Sequence, residues 1–325
     1  GKITSLAKVQ IAGALTGLLL GLPAIFLWGA MGIALSILLA AAVPAFVLWR
    51  AARSDCQVSA NKSAESADLG HLVRLGGVLM LVGWLGQFSA YLVRLAIVRH
   101  EGLDAAGYYQ AAFAISGSLP GFVFAAMGAD FFPRVAAAND EEEARQTTEK
   151  QIKAGLLLGA PLIMALLTLG KLSIRLLYAN GFDAAIPLLA WMTWGVFLRL
   201  ITWPLGFWLL ARGSTRQVVW LEAVGAVVAT LLPVLLLPRF GLVSASVAFA
   251  IAAVAYGVAI GLVFRLKSGG WFGRELHVWV IIAVAALAAG QRWASAQDGD
   301  YAGFVPVVFI GALCAWRYRQ EMRTR

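Results

Sequence analysis

Long apolar runs separated by short polar joints dominate the chain. Ten of them approach or reach the length of a bilayer crossing: residues 7–28, 31–49, 72–98, 105–132, 152–169, 185–210, 218–237, 242–264, 278–293 and 301–316, the last two being short. A hydrocarbon core of about 30 Å takes roughly 20 helical residues. The runs are apolar throughout and do not alternate, so they predict helices, not the strands of a transmembrane barrel. The expected fold is an all-α polytopic membrane protein with about ten transmembrane helices.

The polar joints set the direction of these spans. Of the 26 Lys and Arg, 19 fall on one side of the predicted alternation and 6 on the other, with Arg199 left inside a span. Positively charged loops stay cytoplasmic, so both ends of this chain are expected to be cytoplasmic. Composition agrees: 61% of the 325 residues are hydrophobic and 13% charged, with mean hydropathy +0.80. Such values exclude a disordered chain and a soluble nucleic-acid binder. The net charge of +9 then reads as topology, not as affinity for nucleic acid.

Cys56, in a cytoplasmic loop, and Cys314, in the last span, make neither a disulfide framework nor a zinc site. His71, His100 and His277 stand apart at span ends, and no metal or cofactor is expected. Two cytoplasmic loops are longer than the rest. Residues 50–71, rich in Ser and Ala, read as a mobile linker. Residues 139–151 open with Asn139 and the acids Asp140 to Glu143 and end in Lys150, which predicts a surface helix capped by Asn139. Residues 170–183 form the longest outer loop.

Two segments share one plan. A span ends, Met31-Gly32-Ile33 turns the chain, and the next span runs into Arg50 and Arg53; later Phe240-Gly241-Leu242 turns the chain and the next span runs into Arg265 and Lys267. Both pairs start from the same face, as parallel repeats of a transporter do. The stretch Gly107-Tyr108-Tyr109-Gln110-Ala111-Ala112-Phe113 resembles the GYY…A entry to the eighth helix of bacterial polysaccharide flippases, and Phe132-Pro133-Arg134 followed by Asp140 to Glu143 resembles that helix's proline and acidic loop. Leu210-Ala211-Arg212-Gly213-Ser214-Thr215 is similar to the family's A-x-G-x-T turn between helices ten and eleven. Phe240-Gly241-Leu242-Val243-Ser244-Ala245-Ser246 is similar to the turn before helix twelve.

The chain therefore resembles O-antigen and lipid-linked oligosaccharide flippases of the multidrug/oligosaccharidyl-lipid/polysaccharide superfamily. That resemblance implies two six-helix lobes around a central cavity. Residues 1–54 would be the last two helices of the first lobe, 55–71 a cytoplasmic linker, 72–267 the second lobe and 268–325 two appended helices with a basic tail. Four helices would then precede Gly1, leaving the chain N-terminally incomplete.

Charges kept inside a span are functional candidates. Gln87, Tyr91 and Arg94 follow i, i+4, i+7 spacing and share one helical face, which Trp84 extends. Arg94 can either hold a pyrophosphate bidentately or snorkel to headgroups one turn away. Arg199 lies roughly 18 Å from the cytoplasmic boundary and Glu222 roughly 9 Å in, counting 1.5 Å per residue. Arg199 then either faces a cavity or pairs with Glu222, and Glu222 is a structural or an ion-coupling carboxylate. Asp130 and Arg134 read as an i, i+4 salt bridge at the inner end of a span, and Pro23, Pro44, Pro120, Pro161, Pro204 and Pro233 as kinks within spans.

The resemblance implies a flippase that carries an undecaprenyl-diphosphate-linked oligosaccharide across the bacterial inner membrane by alternating access. Arg94 and Arg199 would meet the pyrophosphate, and Gln87 and Tyr91 the sugars. Membrane lipids, glycosyltransferases and a polysaccharide polymerase are the implied partners. A cation-coupled multidrug antiporter of the same superfamily is the alternative. Short outer loops leave little room for an enzyme such as a polymerase or ligase, so no enzymatic activity is expected.

Overall fold

The computed structural model describes residues 66–296 and, ahead of them, residues 15, 19–29, 31–39, 42–43 and 45–46. The predicted spans 7–28 and 31–49 are thus described in part. The span 301–316, Pro44, most of the 50–71 linker, Cys56 and Cys314 lie outside the described residues. By its contacts the chain forms two compact units, Gly1–Val73 and Arg74–Arg325.

In the first unit an apolar helix, Leu19–Trp28, is followed by helical residues 31–39. The turn between them is made at Gly29, whose φ of 55° suits a residue without a Cβ. This moves the turn from the expected Met31-Gly32-Ile33. Gly32 is already helical, and a Cβ there would run into the backbone of Ala24 and Ile25. The close approach of the two helices demands glycine at that position.

The second unit is helical throughout its described residues. Helix α1 (Ser66–Glu101) leads into it, and α2 (Leu103–Ala136) follows after Gly102 at φ 92°. Next come α3 (Glu141–Thr168), the short α4 (Gly170–Leu177), a 3-10 turn (Phe182–Ala184) and α5 (Ala185–Ala211). Helices α6 (Thr215–Phe240), α7 (Val243–Ser268) and α8 (Arg274–Ala296) complete it. Among the described residues, 6 helices are long and apolar enough to cross a membrane, in α1, α3, α5, α6, α7 and α8; α2 covers the predicted span 105–132. The chain is a multi-pass α-helical membrane protein.

The α5–α6 joint shows how sequence sets this geometry. Gly213 takes φ 70°, its N–H bonds the Leu210 carbonyl, and the Ser214 N–H bonds that of Leu209. These are the paired bonds of a Schellman motif, which satisfies the orphan carbonyls of a helix end. The glycine of the A-x-G-x-T turn is thus required by backbone conformation.

Helix α3 departs from expectation. Residues 139–151 do not form a separate surface helix; α3 runs unbroken from Glu141 into the apolar span. The cap is Asp140, not Asn139: its Oδ1 accepts the Glu143 N–H at 2.7 Å, while Glu143 Oε2 accepts the Asn139 N–H at 2.8 Å. Nothing at the Gln151–Ile152 boundary breaks the helix, so one reciprocal cap serves both parts. The outer loop 170–183 is likewise partly helical. Ile174 of α4 is buried while Leu172, Leu176 and Leu177 are exposed, as on a helix lying in a membrane interface.

Loops predicted to share a membrane face do meet. The Arg212 guanidinium donates to the Asp140 carbonyl at 2.8 Å and lies 3.4 Å from Glu141. Arg145 donates to the Trp271 carbonyl, Glu149 accepts the Gly273 N–H at 3.0 Å, and Lys153 joins Glu275 at 2.7 Å to Glu149 at 3.1 Å. Lys267 donates to Ser214 at 2.6 Å. At that end α3, the α5–α6 turn and the α7–α8 joint form one polar clasp. Arg134 donates to Gln151 there; the side chain of Asp130 lies outside the described residues.

Two apolar clusters fill the unit. One contains Phe131, Ile163, Phe197, Trp208 and Phe264, the other Ile97, Ile174, Leu188, Met192 and Leu237. Helix α8 packs on α3, and Trp194 Nε1 of α5 donates to Gln291 Oε1 of α8.

Candidate functional site: a polar cavity inside the second unit

Five helices of the second unit surround one cavity of ≈170 Å³. Each contributes one face at helical spacing. Helix α1 gives Gly86, Ser89, Ala90 and Val93; α2 gives Tyr109 and Phe113; α5 gives Gly195, Arg199 and Thr202. Helix α6 gives Glu222, Gly225, Ala226 and Ala229, and α7 gives Phe249, Ala252, Ala253 and Tyr256. The many Gly and Ala positions leave the volume open, while aromatic rings set its edges.

Tyr256 joins three helices. Its ring lies against Gly225 of α6, where a Cβ would sit 3.0 Å from Cδ2, and its hydroxyl is close to Gly206 of α5. That hydroxyl donates to Glu222 Oε1 at 2.6 Å. On the opposite wall Ser89 of α1 bonds Thr230 of α6 at 2.8 Å and donates to the Ala226 carbonyl at 3.2 Å. Tyr256→Phe should remove the bond to Glu222 and lower stability by about 1 kcal/mol, read as a fall in the unfolding midpoint of the detergent-purified protein.

Arg199 projects into this cavity from the middle of α5 and, among the described residues, has no hydrogen bond or ion pair. Glu222 lines the same cavity without a direct ion pair to it. The roughly 9 Å difference in depth counted along the two spans explains why the pair does not close. The two expected residues therefore share a site while Glu222 takes Tyr256 as its partner.

The α1 residues are placed elsewhere. Gln87, Tyr91 and Arg94 lie roughly a third of a turn around α1 from its cavity face. Gln87 is exposed, as is Tyr91 at 56%. Arg94 is half-buried, donates to Gln110 at 2.6 Å and to the Ala90 carbonyl at 3.0 Å, and stands 5.9 Å over the Phe113 ring. Its contacts with Ala90 and Phe113 link it to the cavity wall. Among the described residues no three His, Cys, Asp or Glu side chains cluster to hold a metal.

Tyr256 was not singled out from the sequence, although a signal existed. Counted from Arg265 it lies roughly 13 Å into its span, near the depth of Glu222 on the adjoining helix.

The fold and this site define a class: a helical membrane protein with a charged cavity inside one bundle. A family profile described as polysaccharide biosynthesis protein matches residues 2–187, more than half of the chain. The chain belongs to that family. The match ends within α5, before Arg199, Glu222 and Tyr256. Among solved structures, the fold is similar to "Lipid II flippase MurJ, inward closed conformation", with a TM-score of 0.63 and 13% sequence identity, covering 94% of this chain and 66% of that one. The chain thus spans just under two thirds of that flippase. No curated protein matches it in sequence.

Proposed function

We propose that the chain is part of a flippase that moves an undecaprenyl-diphosphate-linked oligosaccharide across the bacterial inner membrane by alternating access. The observation that carries the reading is Arg199, whose guanidinium lines the cavity at mid-span with no protein partner among the described residues. An Arg at that depth costs about 2.5–3.5 kcal/mol to insert, and a diphosphate presents pairs of anionic oxygens that its paired donors suit. Membership of a polysaccharide biosynthesis family and the likeness in fold to a lipid II flippase support the same direction.

In this reading residues 1–54 belong to one lobe, 72–267 to the second and 268–325 to an appended pair, with both ends of the chain cytoplasmic. Arg199 takes the diphosphate and Arg94 assists near the other face, while Gln87 and Tyr91 contact sugars from the exposed side of α1. Glycosyltransferases would supply the lipid-linked glycan and a polymerase would consume it. A cation-coupled drug antiporter fits less well, because Glu222 shares its cavity with a guanidinium.

Deletion of the gene supplies the test. The strain should lose surface polysaccharide and accumulate the lipid-linked glycan on the cytoplasmic leaflet, both restored by the complete gene. Unchanged polysaccharide in the deletion strain would refute the proposal.

A further inference from the structure

An ionised carboxylate inside a bilayer span needs a compensating positive charge. In transporters an inorganic cation can supply it, and among the described residues Glu222 is the one carboxylate lining the cavity. Three observations bear on what compensates it here. First, among the described residues Arg199 and Glu222 are the two charged side chains lining the cavity, and their formal charges sum to zero. A sodium ion entering would add a charge that is already present and would sit beside a guanidinium.

Second, two of the neutral oxygens beside Glu222 are already hydrogen-bonded within the protein. Tyr256 donates its proton to Glu222, and Ser89 is held by Thr230 and the Ala226 carbonyl. A hard cation takes about six oxygen ligands, and Tyr109 and Thr202 carry the other hydroxyls among the described lining residues. Third, the guanidinium is held on α5 while its partner carboxylate is on α6, with no contact between them. The compensation acts through the field of the cavity, which leaves the guanidinium donors open to other acceptors.

We infer that Arg199 is a tethered counter-ion for Glu222, and that this cavity takes no inorganic coupling cation. Among the described residues around Glu222, the titratable groups lining the cavity are Tyr109 of α2, Arg199 of α5 and Tyr256 of α7; α1 contributes none of them. What the protein transports does not enter this charge balance. It would hold for a flippase and for a drug exporter alike.

The test is thermal unfolding of the purified full-length protein in detergent, in sodium, lithium, potassium or choline chloride at matched ionic strength. The wild-type midpoint should be the same in all four salts to within about 1 °C. Arg199→Gln removes the tethered charge, and sodium or lithium should then raise its midpoint by about 2–4 °C over choline. Adding Glu222→Gln should abolish that response, and Arg199→Lys, which keeps a tethered charge, should stay insensitive. A sodium-specific shift in the wild type that Glu222→Gln removes would overturn the inference. So would a sodium response in Arg199→Lys, or an Arg199→Gln protein that responds to none of the ions. Should Arg199→Gln fail to fold, the wild-type and Arg199→Lys series still decide.

Discussion

Arg199→Ala, introduced into the complete protein, is expected to lower surface polysaccharide by about 10- to 100-fold at unchanged membrane abundance. Charge-assisted hydrogen bonds are worth about 1.5–3 kcal/mol each, and 1.4 kcal/mol is a factor of ten. Arg199 makes no hydrogen bond or ion pair to other described residues, so its truncation breaks no direct bond, and although the cavity then loses the charge that offsets Glu222, the loss should appear chiefly in transport. Arg199→Lys should recover part of the activity, because a point charge remains while the paired donors are gone. Arg94→Ala should differ. It breaks a bond to Gln110 and the contact over Phe113, so its effect should appear in stability as well.

Gly195→Val is the second large effect. A Cβ at Gly195 would overlap the Phe249 ring of α7, which packs edge-on against Phe113 of α2 at 6.3 Å. The ring must move into the cavity or push α7 away from α5. Overpacking of this kind costs about 1–3 kcal/mol, and transport should fall with it. Shortening the ring should relieve the clash, so Gly195→Val with Phe249→Leu should regain stability over Gly195→Val alone. Strict additivity of the two changes would mean that they do not touch.

Much of this arrangement is legible in the sequence. The apolar runs at 152–169, 185–210, 218–237 and 242–264 coincide with spans of α3, α5, α6 and α7 to within one residue at their ends, because lipid forces every backbone group to bond within its own helix. Gly213 and Gly241 mark turns because their backbones take positive φ. What escaped is local. Residues 139–151 have the cap and charges of a surface helix, yet nothing stops that helix from continuing into the membrane. The helix α4 is too short for an apolar-run reading to find.

The site divides in the same way. Arg199 and Glu222 stand out because a charge in an apolar run is expensive. That they line one cavity depends on which faces of five helices converge, and those faces are marked mostly by Gly and Ala. Small residues are too common in membrane helices to identify a wall by themselves. On α1 the polar stripe of Gln87, Tyr91 and Arg94 draws attention first, yet the cavity face is the adjacent Gly86, Ser89 and Val93. A polar stripe identifies a face without identifying its neighbour.

The central claim is that the complete protein moves a diphosphate-linked lipid through Arg199. Reconstitution into liposomes with a short-chain polyprenyl-diphosphate glycan, followed by accessibility of the glycan to an external glycosidase, tests it most directly. The account predicts protein-dependent movement that Arg199→Ala removes, with little movement of the matching polyprenyl glycan that lacks the diphosphate. Equal movement of the charged and uncharged lipids, or full movement by Arg199→Ala, would contradict it.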